Sequence, residues 1–248
     1  MVNEQYQVYC LSFNNETKKQ NMKRRFDAIN INCIFNEGVS FDDERLANRG
    51  LSLQGNQVWS CMYGHLDMIN HFYYNTDKQF GIFCEDDIYI HKDLKNIIPK
   101  VIVDFVILKL DVLLMGYLVQ YKITEHHAGY PLKYIPNNDC SDTEGNIYQY
   151  HSYPNEVWGS QMYMLSRSHA KYLLDTYSAS SGFAEKSILP DATCPFSPDW
   201  IITKEGNRAL ISPLLAIEDN SYNSHHYGQN SFHRSCHEAH FDEKLFVV

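Results

Sequence analysis

Glu85-Asp86-Asp87 closes the apolar run Phe80-Gly81-Ile82-Phe83-Cys84, and these consecutive carboxylates are the residues of the chain best placed to do chemistry. The run reads as a buried strand and the acidic triplet as its exit at the rim of a sheet. Alternation along a strand would send Glu85 and Asp87 to one face and Asp86 to the other. Ligands of open α/β sheets bind at the carboxyl ends of the strands. Carboxylates gathered there repel one another unless a cation joins them, and an all-oxygen ligand set suits a hard divalent ion, Mn²⁺ or Mg²⁺. A strand end entering a solvated acidic turn accounts for the tripeptide alone equally well.

Hydrophobic patterning predicts the scaffold around the triplet. Residues 7–13 read as a first buried strand, and 18–29 as a basic amphipathic helix with Met22, Phe26 and Ile29 on one stripe. A second strand over 32–35 turns at Asn36-Glu37-Gly38. A long helix over 58–74 carries Met62, Leu66, Ile69 and Tyr73 on one face. After the acidic strand, 92–100 reads as a short helix closed near Pro99, 101–110 is helix or strand by periodicity, and 111–116 is a buried strand. Residues 117–152 read as loops with short strand pieces. A strand over 161–165, a helix over 169–177 and a Pro-punctuated loop over 178–198 follow. Trp200 begins a helix that Gly206 ends, 209–212 is a short strand, and the tail from Glu218 is polar. Strand–helix alternation in the first half predicts an α/β sandwich.

Composition narrows the function classes. A net charge of −9 argues against a nucleic-acid binder, which needs basic surface. An anionic nucleotide remains compatible if a metal ion supplies local positive charge. The seven cysteines are scattered without a Cys-x-x-Cys pair, so they read as reduced thiols. The first residues, Met-Val-Asn-Glu-Gln-Tyr, lack the basic n-region and apolar h-region by which a signal peptide is read. The longest apolar stretch, 101–119, is broken by Asp104, Lys109 and Asp111, which excludes a membrane span there. These features predict a soluble cytoplasmic protein, in the host cytoplasm if the source is viral.

Four segments in order carry a resemblance. They are Ser60-Cys61-Met62-Tyr63-Gly64-His65-Leu66, Phe83-Cys84-Glu85-Asp86-Asp87-Ile88, the strand from Trp158 to Leu165 ending in Ser166-Arg167, and Pro198-Asp199-Trp200. Together they resemble glycosyltransferase family 25, which holds lipooligosaccharide and collagen galactosyltransferases and giant-virus relatives. The likeness spans roughly residues 6–220. Gly64 stands where the family pattern has Ser, and Gln57-Val58 where it has Gly-Glu, a change in a pocket wall and not in the metal site.

The resemblance implies a single GT-A domain, with residues 1–116 binding a nucleotide sugar and 117–248 binding the acceptor and forming the tail. It implies an inverting transfer of a sugar from a nucleotide sugar, a UDP-sugar, to a hydroxyl of a glycan or glycoconjugate. Mn²⁺ or Mg²⁺ would be held by Asp87 and Glu85 and completed by a tail histidine, His225 or His226. Leu11, Ser12, Phe13, Arg25, Glu37 and Asp86 are the expected donor contacts, and Trp158 and Trp200 the expected sugar platforms. Asp199, between Pro198 and Trp200, is the expected general base; on spacing alone it is equally a helix N-cap. Two rival readings use the same residues, a metal-dependent hydrolase of phosphate or nucleotide-sugar bonds and a non-catalytic carbohydrate-binding relative.

Overall fold

Alternating burial along the first strand, β1 (Tyr6–Ser12), and the acidic strand, β3 (Phe80–Glu85), sets the layers of the molecule. Val8, Cys10, Ile82 and Cys84 face a core shared with Met22 and Phe26 of α1 (Glu16–Ala28) and with α3 (Leu94–Ile107). Tyr9, Leu11 and Phe83 face the opposite core, built with Met62, Ile69 and Phe72 of α2 (Leu53–Asn75) and Leu173 of α4 (Arg167–Tyr177). The structure is a computed structural model that describes residues 5–47, 51–136, 141–177, 196–222 and 228–248.

The main sheet has the order β2-β1-β3-β8-β5-β9-β7-β6. Its first three strands, with β2 at Cys33–Glu37, run parallel and form the Rossmann-like half of the α/β sandwich expected of a GT-A domain. β8 (Trp158–Ser166) inserts antiparallel between β3 and β5 (Val112–Leu118). The sheet continues through β9 (Arg208–Ser212), β7 (Gln149–His151) and β6 (Leu132–Tyr134). A second sheet pairs β4 (Ile88–His91) with β10 (Ala216–Glu218) and β11 (Phe246–Val247). It begins directly after the acidic triplet. No helix among the described residues is long and apolar enough to cross a membrane.

Several boundaries differ from the sequence reading. The helix over 92–100 does not close at Pro99. It runs on to Ile107, because Leu94, Ile97, Ile98, Val101, Ile102 and Phe105 form one buried stripe. That burial outweighs the roughly 3 kcal/mol that an interior proline costs. Residues 200–205 form turns and no helix, so Asp199 is not an N-cap. The polar tail holds a helix, α5 (Asn230–His240), whose His237 and His240 bond the carbonyls of Glu218 and Val119 at 2.9 and 3.1 Å. Of the loop expected over 178–198, residues 178–195 lie outside the described residues. Gly64 lets α2 approach β1: a Cβ there would lie 2.7 Å from Leu11 Cδ1.

Arg25 is a structural pin and not the donor contact expected. Its side chain is 3% exposed. The guanidinium pairs with Asp219, donates to the Ile88 carbonyl at 2.9 Å and stacks on Tyr89 at 4.5 Å. It thus ties α1 to the second sheet. Arg25→Ala leaves the Asp219 carboxylate buried without its cation and is expected to cost about 3–5 kcal/mol in urea denaturation. Arg25→Met with Asp219→Leu should recover most of that loss. A cost for the single change no larger than for a surface residue would count against this role.

Candidate active site

Glu85 is the last residue of β3, and alternation places it on the α2 face with Phe83. Ser160 Oγ on β8 donates to its Oε1 at 2.6 Å, and His65 Nε2 on α2 lies 3.8 Å from the same oxygen. The His65 ring is fully buried and held through Nδ1 by the Tyr163 hydroxyl at 2.8 Å. Burial opposes the Glu85 charge, yet the neighbouring His65 and Ser160 bring its pKa below the ordinary value.

Asp86 and Asp87 go the other way. The strand ends at Glu85 and the chain bends, so Asp87 does not share Glu85's face as simple alternation predicts. Both turn to α1, where Lys18 Nζ lies 2.9 Å from Asp87 Oδ2 and 3.6 Å from Asp86 Oδ1. Ser12 Oγ, at the end of β1, donates to Asp86 Oδ2 at 2.7 Å. Burial raises the Asp86 pKa against that bond. Asp87 is pushed up to about 7 by burial and by the Glu85 charge, with Lys18 pulling the other way. Two carboxylates close together behind a strand end thus already call for positive charge, and an ammonium supplies it.

The other expected donor contacts divide. Ser12 lies in this cluster, Leu11 is buried on the opposite face against Gly64 of α2, and Phe13 at the rim packs against Gly38. Glu37 accepts from the Asn14 backbone N–H at 3.2 Å, closing the loop after β1. Arg25, as above, points away into the core.

His225 and His226 lie outside the described residues. Among those described, His233 of α5 is the tail histidine in the field of Asp87 and Glu85. Its Nδ1 is bonded to Glu218 Oε2 at 2.6 Å, and its Nε2 is buried without a hydrogen-bond partner. Burial works against its charge, but Glu218 raises its pKa on balance. Glu218 is held next to the triplet because it pairs with Ile88 in the second sheet, and the Asp219 N–H donates to the Asp87 carbonyl at 2.7 Å.

Asp199 meets the start of β8. Its Oδ1 accepts the backbone N–H groups of Gly159 and Ser160 at 2.7 and 2.9 Å. Ser160 then hands on to Glu85 through its hydroxyl, so Asp199 and Glu85 flank one residue. Burial, and next the Glu85 charge, raise the Asp199 pKa above the ordinary carboxylate value. Such a shift moves a carboxylate toward the range of a useful proton acceptor. Trp158 is half-buried beside Phe232 of α5, with ring centroids 6.2 Å apart, and Trp200 is half-buried with Lys204 over its ring at 6.0 Å. Both indoles therefore keep exposed surface near this rim. Trp59 packs against Phe196 at 5.2 Å as part of the core edge.

No protein-family model and no curated protein sequence matches the chain. Solved structures to which it is similar include A197 from STIV, at 14% identity and a TM-score of 0.44 over 86% of this chain and 85% of that one. A mannose-1-phosphate geranyltransferase from Thermus thermophilus is similar at 8% identity and a TM-score of 0.42, over 84% and 73% of the two chains. A glycosyltransferase involved in glycosylation of the major capsid of PBCV-1 shares 12% identity at a TM-score of 0.32, over 82% and 80%. The likeness is loose and carries no functional argument.

Lys18, Ser160, Glu218 and His233 are site residues that sequence reasoning did not assign. Lys18 had one local signal. A cation in the first turn of a helix opposes the helix dipole, so a residue kept there needs a partner. His233 stood among the tail histidines 225, 226, 233, 237 and 240, of which 225 and 226 were preferred. Ser160 and Glu218 had no signal, since Glu218 comes beside the triplet only through the pairing of β10 with β4.

Proposed function

We propose that this protein is a metal-dependent, inverting glycosyltransferase, similar to family 25, that moves a sugar from a nucleotide sugar, a UDP-sugar, to a hydroxyl of a glycan or glycoconjugate. The observation that carries the reading is the convergence of Ser12, Lys18, Asp86 and Asp87 at the carboxyl ends of β1 and β3, with Asp199 at the start of β8. This is the rim where nucleotides bind in parallel α/β sheets.

A hard divalent ion would suit the carboxylate oxygens of Asp87 and Glu85. His233 offers a buried Nε2 without a partner while a carboxylate holds its other nitrogen, the arrangement typical of metal-ligating histidines. Asp87 and His233 are the ligands this favours, with Glu85 nearby and His225 or His226 outside the described residues. Mn²⁺ or Mg²⁺, when bound, would offset the charge that builds on the leaving diphosphate. Lys18 is the second cation at that place, released from Asp87 to meet phosphate oxygens. Ser12 and Asp86, bonded to each other, would orient the ribose or the donor sugar. Asp199 would take the acceptor hydroxyl proton at its Oδ2, since Oδ1 is engaged by backbone N–H groups. Trp158 and Trp200 offer apolar faces to a sugar ring.

A thermal-shift screen of nucleotide sugars with and without Mn²⁺ tests this reading. At one hundred times its dissociation constant, the donor should stabilise the fold by about 2.7 kcal/mol, and only with metal present. His233→Ala should weaken Mn²⁺ binding measured by electron paramagnetic resonance. Absence of a shift for every nucleotide sugar, with or without the ion, would remove the proposal.

A further inference from the structure

We propose that Cys61, His65 and Glu85 form a site for a thiophilic divalent cation, Zn²⁺, on the opposite face of β3 from the Asp86–Asp87–Lys18 cluster. The site does not depend on the glycosyltransferase reading. Cys61 and His65 stand four residues apart on α2, which puts them one turn apart on one face of the helix. That face packs on β3, whose alternation brings Glu85 to it. One ligand atom from each of the three residues lies within 4.8 Å of the other two.

The imidazole is already set as a ligand. His65 is fully buried, and its Nδ1 is engaged by the Tyr163 hydroxyl at 2.8 Å. That leaves Nε2 buried without a hydrogen-bond partner and 3.8 Å from Glu85 Oε1. A buried ring nitrogen without a partner is costly, and a cation between it and the carboxylate would satisfy it. Tyr163 would act as the outer group that fixes the ring, as carbonyls and carboxylates do in other histidine–metal sites. Ser160 holds one Glu85 oxygen at 2.6 Å and leaves the second oxygen to ligate. Cys61 is partly exposed, which gives an ion a way in. Sulfur, imidazole nitrogen and carboxylate oxygen together select a borderline-soft ion such as Zn²⁺ over Mg²⁺ or Mn²⁺. Three protein ligands leave the fourth tetrahedral position open to water. The plain alternative is a buried His65–Glu85 pair with Cys61 as a bystander.

Cobalt substitution separates the two. The full chain, stripped with a chelator and titrated with Co²⁺, should take up one equivalent at this set, counted by its sulfur band and apart from any ion held at Asp87 and His233. It should show a thiolate-to-cobalt charge-transfer band and the strong visible bands of a tetrahedral ion, both bleached by Zn²⁺. Cys61→Ser, a near-isosteric change at a partly exposed position, should remove the charge-transfer band while the circular dichroism stays that of the wild type. Tyr163→Phe should weaken Co²⁺ binding by about 10- to 100-fold. Asp87→Asn should leave the spectrum unchanged, because Asp87 faces Lys18 and not this set. A thiolate band that survives Cys61→Ser, a weak octahedral spectrum without sulfur character, or binding lost only in Asp87→Asn would each overturn the proposal.

Discussion

Asp87→Asn is expected to abolish sugar transfer and, in the same sample, to raise the melting temperature at pH 8. The loss of activity follows from removing the carboxylate that faces both Lys18 and the proposed metal, and should amount to at least about 10²-fold in kcat. The gain in stability follows from electrostatics. Burial and the Glu85 charge lift Asp87 from 3.8 to about 7 in the folded chain. Between about pH 4 and pH 7 the folded state therefore holds a proton that the unfolded state has released, so stability falls as the pH rises through this window. Asparagine does not ionise, so the variant escapes that loss. Its advantage should be full above pH 7 and vanish near pH 4. Mn²⁺ should stabilise the wild type at pH 8 and leave the variant unmoved. A variant that melts well below the wild type at pH 8 would mean that the Lys18 pair outweighs the repulsion, and full turnover would remove Asp87 from the chemistry.

Asp199→Asn is expected to lower the rate by on the order of 10² to 10⁴ with the fold and donor affinity held. The asparagine carbonyl can still accept from the Gly159 and Ser160 N–H groups, so the cost in stability should stay below about 1 kcal/mol. Asp199→Ala serves as the contrast. It strands both N–H groups and should cost about 1–3 kcal/mol more, which separates the staple from the base. Donor affinity, measured by calorimetry with a nucleotide sugar and Mn²⁺, should hardly change in Asp199→Asn, because the groups proposed to hold the donor converge at the ends of β1 and β3. The anomeric configuration of the product, read by NMR, is the independent check. Retention of the donor's configuration would exclude Asp199 as an inverting base whatever the rate does.

The amino-acid sequence by itself determined the parallel half of the sheet. β1, β2 and β3, and helices α1 and α2, were legible because each carries its own period of buried residues, which is a local property of the chain. It also singled out the acidic triplet and Asp199, and the fold brings Glu85 and Asp199 together on Ser160. Tertiary structure decided how they are used. The bend after Glu85 turns Asp87 to Lys18, against the alternation a straight strand would impose, and no local pattern marks that bend. Arg25 and Lys18 sit on the same basic helix and look alike in sequence. Only the packing of α1 against β4 sends one into the core on Asp219 and the other to the rim on Asp87. His233 reaches the site through Glu218, which depends on the antiparallel pairing of β10 with β4, more than a hundred residues apart in the chain. α3 passes through Pro99 because six buried side chains fix it to the sheet. Local periodicity specifies which face of an element is buried. Which polar groups meet at the rim is set by contacts between distant segments, and those exist only once the sheet has formed.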